Sequence, residues 1–208
     1  MTFETWLAFV ATSTVLLVIP GPTILLVESY ALGQGMRIAL PMAIGVALGD
    51  FTAMTLSMIG VGALLATSAT LFGILKWVGA AYLVWLGIKL WRAGGALDAQ
   101  PRSDQSSKVK MLGHAWIVTA LNPKGIVFFV AFLPQFISPH VDFLSQMLIF
   151  EATFIVLAFV NVLGYALIAA RARALVRNPR VISTFNKAGG TLLIGAGIAT
   201  ATSRAAQS

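Results

Sequence analysis

The stretch Val15-Leu16-Leu17-Val18-Ile19-Pro20-Gly21-Pro22-Thr23-Ile24-Leu25-Leu26-Val27 places three helix-breaking residues inside an apolar run, and Asn122-Pro123-Lys124-Gly125 interrupts a second one. In a soluble protein each would be a surface turn. Both runs, however, are long enough to cross a bilayer. Proline has no amide hydrogen and its ring disrupts the turn before it, so carbonyls lose their partners where water is scarce. Such a break persists only where protein or a wet cavity supplies the missing donors. Paired broken helices in two halves of a membrane chain point to the binding site of a small-solute carrier.

Composition supports a membrane protein. Of 208 residues, 58% are hydrophobic and only 10% charged, and mean hydropathy is +0.89, whereas a soluble domain carries about a quarter charged residues. The net charge of +7 does not mark a nucleic-acid partner, because the basic residues sit at the ends of apolar segments rather than on one polar domain. With no Cys, disulfides, thiolate metal ligands and a cysteine nucleophile are excluded. His114 and His140 lie near segment ends, so no metal site is expected. Glu4 stands where a cleavable signal would be basic, so the first segment is expected to stay in the mature protein.

Six spans are expected, at approximately 5–27, 39–66, 70–91, 113–137, 143–170 and 184–203. Lys and Arg near span ends stay on the cytoplasmic side. Arg37 lies in the first connection; Lys89, Arg92, Arg102, Lys108 and Lys110 lie in or beside the third; Arg171, Arg173, Arg177 and Arg180 lie in the fifth. Both termini are therefore predicted to be periplasmic. The polar connection 93–112 divides a single transmembrane domain, residues 1–208, into repeats of about 1–92 and 113–208. Three spans per half force opposite orientations, giving an all-α protein of two inverted three-helix repeats whose first helices are broken by Pro20, Gly21, Pro22 and Pro123. No Gly-rich Lys-Ser/Thr phosphate loop suggests ATP hydrolysis, and no cofactor is expected.

Ionisable groups inside a bilayer are costly and call for a reason. Asp50 falls near the middle of the second span, on a face of small residues that includes Ala43, Val46 and Ala53. It reads either as a structural partner for unpaired backbone or as a carboxylate that titrates or binds a substrate amine. Gly45 and Gly49, spaced for close helix approach, form a packing face beside it. Lys124 reads as a donor to freed carbonyls, a partner for a carboxylate, or a site for a substrate carboxylate; Asn122 belongs to the same break. Glu28 reads as an interfacial carboxylate or an entrance group, and Glu151 as a group reaching the interface. Asn161 and Tyr165, four apart, share a helical face suited to an interhelical hydrogen bond.

Together these residues resemble the LysE/RhtB family of amino-acid exporters. The resemblance is carried by Pro20-Gly21-Pro22, Ala31-Leu32-Gly33-Gln34-Gly35, Gly45-x-x-x-Gly49-Asp50, Leu75-Lys76-Trp77-Val78-Gly79-Ala80-Ala81-Tyr82-Leu83, Asn122-Pro123-Lys124 and Phe132-Leu133-Pro134-Gln135-Phe136, in order over nearly the whole chain. Residues 76–98 look most like the homoserine/threonine (RhtB) branch. The resemblance implies export of amino acids or derivatives across a bacterial inner membrane, driven by protons. Homoserine, homoserine lactone and threonine are the expected substrates. A zwitterion would lie between the broken helices, its carboxylate toward helix N-termini and Lys124 and its amine toward Asp50. A carrier for another solute such as a metal cation, or a non-transporting membrane scaffold, is the alternative; an enzyme is not expected, for want of a paired nucleophile and base. The glycine faces suit either an intramolecular bundle or a homodimer.

Overall fold

In a computed structural model the described residues are 1–67, 69–92, 107–138 and 140–171, with 180, 183–184, 187–188, 190–191, 194–195 and 197–198 beyond them. Every element among them is helical. α1 (Phe3–Val18) is capped by the Thr2 hydroxyl, which accepts from the Thr5 amide at 3.2 Å. It stops before Pro20, and α2 (Pro22–Gln34) restarts with proline at its first position, where the missing amide hydrogen costs nothing. A 3₁₀ turn, Gly35–Ile38, leads into α3 (Ala39–Thr67), followed by α4 (Ala69–Arg92). In the second half, α5 (Lys108–Ala120) breaks before α6 (Pro123–Val127). A π-helical turn (Phe128–Phe132) and a 3₁₀ turn (Leu133–Phe136) extend α6, and α7 (Phe143–Arg171) follows.

By length and composition, Pro22–Gly60 and Phe143–Arg171 suffice to cross a membrane, and Lys108–Ala120 with Pro123–Phe136, bent by 42°, makes a third crossing if taken as one. The first of these is not a straight rod. Thr23 of α2 shares a 3.2 Å hydroxyl contact with Thr119 of α5, and a Cβ at Gly49 of α3 would lie 2.5 Å from the Thr119 Cβ. A continuous helix would separate Thr23 from Gly49 by about 39 Å, so the chain folds back between them. It turns at Gly35, whose φ of 69° suits a residue without Cβ. The first connection is thus shorter than the expected span boundaries imply, because α2 runs on to Gln34 with Tyr30, Ala31 and Leu32 buried. Most of the connection 93–112 and of the sixth span, 184–203, lies outside the described residues; of the latter, Gly197 approaches Ala80 and Val84 of α4.

Among the described residues, two apolar clusters form the core. One is aromatic: Phe9, Phe128, Phe129, Phe132, Phe150 and Phe154 pack with Met54 and Met58, the Phe9 and Phe150 centroids 4.6 Å apart. The other is built of smaller side chains from α2, α3, α5 and α7, including Val27, Ala31, Ala43, Val46, Ala115, Val162 and Ala166. Gly45 and Gly49 hold α3 against α5. A Cβ on Gly45 would collide with the Leu112 carbonyl oxygen, and one on Gly49 would lie 2.8 Å from that of Trp116. Large apolar residues such as Leu48, Phe51, Leu56, Val156 and Val160 cover the outside.

Candidate functional site

A polar layer separates the two clusters, and it begins with the chemistry of the first break. An uninterrupted helix would send the amides of residues 20, 21 and 22 back to the carbonyls of Leu16, Leu17 and Val18. Prolines at 20 and 22 remove two of those donors. Side chains from the other half of the protein replace them. The Lys124 ammonium donates to the carbonyls of Leu16 at 2.9 Å and Ile19 at 2.7 Å. The Asn161 amide donates to Leu17 at 3.1 Å and the Tyr165 hydroxyl to Val18 at 2.5 Å. With the Ile19 amide bonded to Val15 at 3.3 Å, every carbonyl from Val15 to Ile19 has a donor, as buried backbone requires. Gly21 leaves room for this: a Cβ there would lie 3.3 Å from both Cε and Nζ of Lys124.

The second break is served from within. Asn122 caps α6, its Oδ1 accepting from the Lys124 amide at 3.1 Å, a cap typical of asparagine. Its own amide group donates to Thr23 Oγ1 at 3.1 Å, which in turn meets Thr119. The backbone amides of Leu121 and Asn122 close the end of α5 on the carbonyls of Ile117 and Thr119.

Between the breaks is a cavity of about 30 Å³ whose lining includes Leu17, Thr23, Asp50, Asn122, Lys124 and Asn161. That is room for water and too little for an amino acid. Asp50 and Lys124 are 7% and 8% exposed, and each feels the other's charge. One Asp50 oxygen, Oδ2, has no hydrogen-bond partner. The polar layer is therefore closed, with an acceptor left over.

Of the residues singled out from sequence, Asp50, Lys124, Asn122, Pro20, Gly21, Pro22 and Pro123 meet at or beside this layer, and Gly45 and Gly49 hold α3 to α5 next to it. Glu28 does not line the cavity. It stands further along α2 and is buried within the protein rather than solvated, with Oε2 unpartnered. Glu151 is also buried within the protein, because α3 packs along α7 and the Thr55 hydroxyl donates to its Oε1 at 2.5 Å. Thr23 and Thr119 were not anticipated; their signal is position, one just after a helix-starting proline and the other three residues before a capping asparagine. Asn161 and Tyr165 signalled a shared polar face but not the carbonyls they serve. Among the described residues, no three of His, Cys, Asp and Glu converge to hold a metal ion.

A lysine at one helix break that serves the carbonyls of another, beside a buried carboxylate in an apolar helical bundle, points to a membrane carrier. The chain belongs to the LysE type translocator family, whose model matches residues 14–204; it is a membrane-embedded transporter, not an enzyme. It is 40% identical over 203 residues to the homoserine/homoserine lactone efflux protein of Salmonella typhimurium, covering 97% of this chain and 98% of that one. An uncharacterized membrane protein of Vibrio cholerae is 38% identical over 205 residues, 99% and 100% of the two chains. A leucine efflux protein of Enterobacter is 35% identical over 123 residues, 59% and 58% of the two. The resemblance to the RhtB branch is borne out by the first of these. No solved structure matches the chain.

Proposed function

We propose that this chain exports homoserine, homoserine lactone or threonine-like amino acids across the bacterial inner membrane in exchange for protons. Full-length similarity to a homoserine/homoserine lactone efflux protein supports the substrate class. The observation that carries the mechanism is the Asp50–Lys124 pair at the cavity between the breaks. Lys124 offers an ammonium to a substrate carboxylate, and Asp50 offers an open carboxylate oxygen to a substrate ammonium. A single carboxylate cannot hold both a proton and an ammonium group, so occupancy by one expels the other. That competition is the physical basis of antiport.

Because the cavity is too small for an amino acid, substrate enters only when the polar layer parts. Lys124 is then drawn from the α1 carbonyls toward the substrate carboxylate, so occupancy loosens the bond between the two halves. The inverted repeat and periplasmic termini belong to the same proposal, supported by the charges at Arg37, Lys89, Arg92 and Arg171. The test is efflux of labelled homoserine, threonine, leucine and lysine from preloaded cells, with and without an uncoupler. Uncoupler-sensitive efflux of homoserine or threonine, abolished by Asp50→Asn in a normally inserted protein, is expected. Unchanged export by Asp50→Asn removes that residue from the mechanism.

A further inference from the structure

Two more carboxylates are buried away from the cavity. Glu28, 3% exposed, lies five residues along α2 from Thr23, beside Val27 of the small-residue cluster. Glu151, 4% exposed, lies on α7 next to Phe150 of the aromatic cluster and accepts from Thr55, five residues along α3 from Asp50. α2 and α3 run in opposite senses, so these two steps of about 7.5 Å of helix rise lead away from the cavity in opposite directions. Glu28 Oε2 and Asp50 Oδ2 both lack a hydrogen-bond partner. An unbonded buried carboxylate oxygen is a place where a proton can land, and the bond that Glu151 accepts comes from a hydroxyl, which rotates to free that oxygen.

Polar groups surround these carboxylates. Asn161 lines the cavity, and Tyr165, one turn further along α7, lies where it feels the charge of Glu28. Facing α2 from α5 is His114, whose Nδ1 is 3.3 Å from the Tyr30 hydroxyl. Lys124 faces Asp50 from α6, and the Thr55 hydroxyl faces Glu151 from α3.

Resting on the transport reading above, we propose that Glu28, Asp50 and Glu151 form a stepped proton route, with Glu28 serving one face of the closed polar layer and Glu151 the other. A proton leaves the Glu28 carboxylic acid and reaches the Asp50 carboxylate through water admitted to the cavity that Asp50 and Asn161 line; Glu28 becomes a carboxylate and is reprotonated from its own face. Asp50 passes its proton through water to the Glu151 carboxylate, which releases it on the other face. The reverse order carries protons the other way. Glu28 and Glu151 move protons without touching substrate.

Reconstituted protein tests this with labelled homoserine in two assays: net efflux driven by an imposed pH gradient, and exchange of labelled for unlabelled homoserine at equal pH. Glu28→Gln and Glu151→Gln are expected to lose gradient-driven efflux while retaining exchange, and Glu28→Asp to restore part of the efflux. Intact gradient-driven efflux in either Gln variant overturns the route. Loss of both activities in the Gln variants also overturns it, making the carboxylates structural or substrate-binding. Wild-type protein inert in both assays instead brings down the homoserine reading, and the route with it.

Discussion

At the first break, Ile19-Pro20-Gly21-Pro22 supplies carbonyls and few donors; at the second, Leu121-Asn122-Pro123-Lys124 supplies a capping amide and an ammonium. The second break holds the Lys124 amide through its own Asn122 and still has the Lys124 ammonium to offer. The first cannot close itself, and it takes Lys124, Asn161 and Tyr165 from the opposite half. Two sequences with the same helix-breaking residue therefore play unequal parts, one as acceptor and one as donor. In water the difference would be slight, since solvent would satisfy both. In a bilayer it binds the two halves together.

The sharpest way to break the comparison is Lys124→Met, which strips donors from two carbonyls and leaves Asp50 buried without its cation. A loss of about 2–5 kcal/mol is expected for leaving two buried carbonyls without a donor, read as a lower melting temperature in detergent together with abolished efflux. Asn122→Ala damages the second break, removing a cap and the bond to Thr23, for about 2 kcal/mol by the same melt. Tyr165→Phe exposes one carbonyl, that of Val18, and should cost about 1 kcal/mol. A Tyr165→Phe penalty as large as that of Lys124→Met would show that the ammonium is not the principal donor.

The smallest effect belongs to a helix start outside the breaks. Asp142 accepts from the Ser145 amide at 2.8 Å and its hydroxyl at 2.7 Å, and these bonds hold its carboxyl below the ordinary carboxylate range. Since the folded value is depressed, this cap is in force above the ordinary value and is lost as pH falls through the depressed one. Faster hydrogen exchange of the Ser145 amide in that acid window, absent in Asp142→Ala, is the expected sign.

How far the sequence foretold this depends on the kind of residue. Prolines act on their own backbone, so both breaks were legible at Pro20, Pro22 and Pro123. Gly45 and Gly49 were legible as a packing pair by their spacing, although not as facing α5. The burial of Glu28 and Glu151 within the protein was not legible, because position along a segment does not tell which side chains a neighbouring helix covers: α2 continues past Glu28 to Gln34, and α3 covers Glu151 with Thr55. The partners of the α1 carbonyls were not legible either. Asn161 lies 144 positions from Leu17, and only the folded contact of α1 with α7 relates them.

That separation has a consequence for biosynthesis. The Ile19 carbonyl waits for Lys124, 105 positions later in the chain, and the Val18 carbonyl for Tyr165, 147 positions later. At about 5–20 residues per second, a ribosome needs roughly 5–30 s to deliver those donors. During that interval the newly inserted first helix carries open carbonyls at membrane depth, and the insertion machinery or penetrating water has to shelter them until the second half arrives.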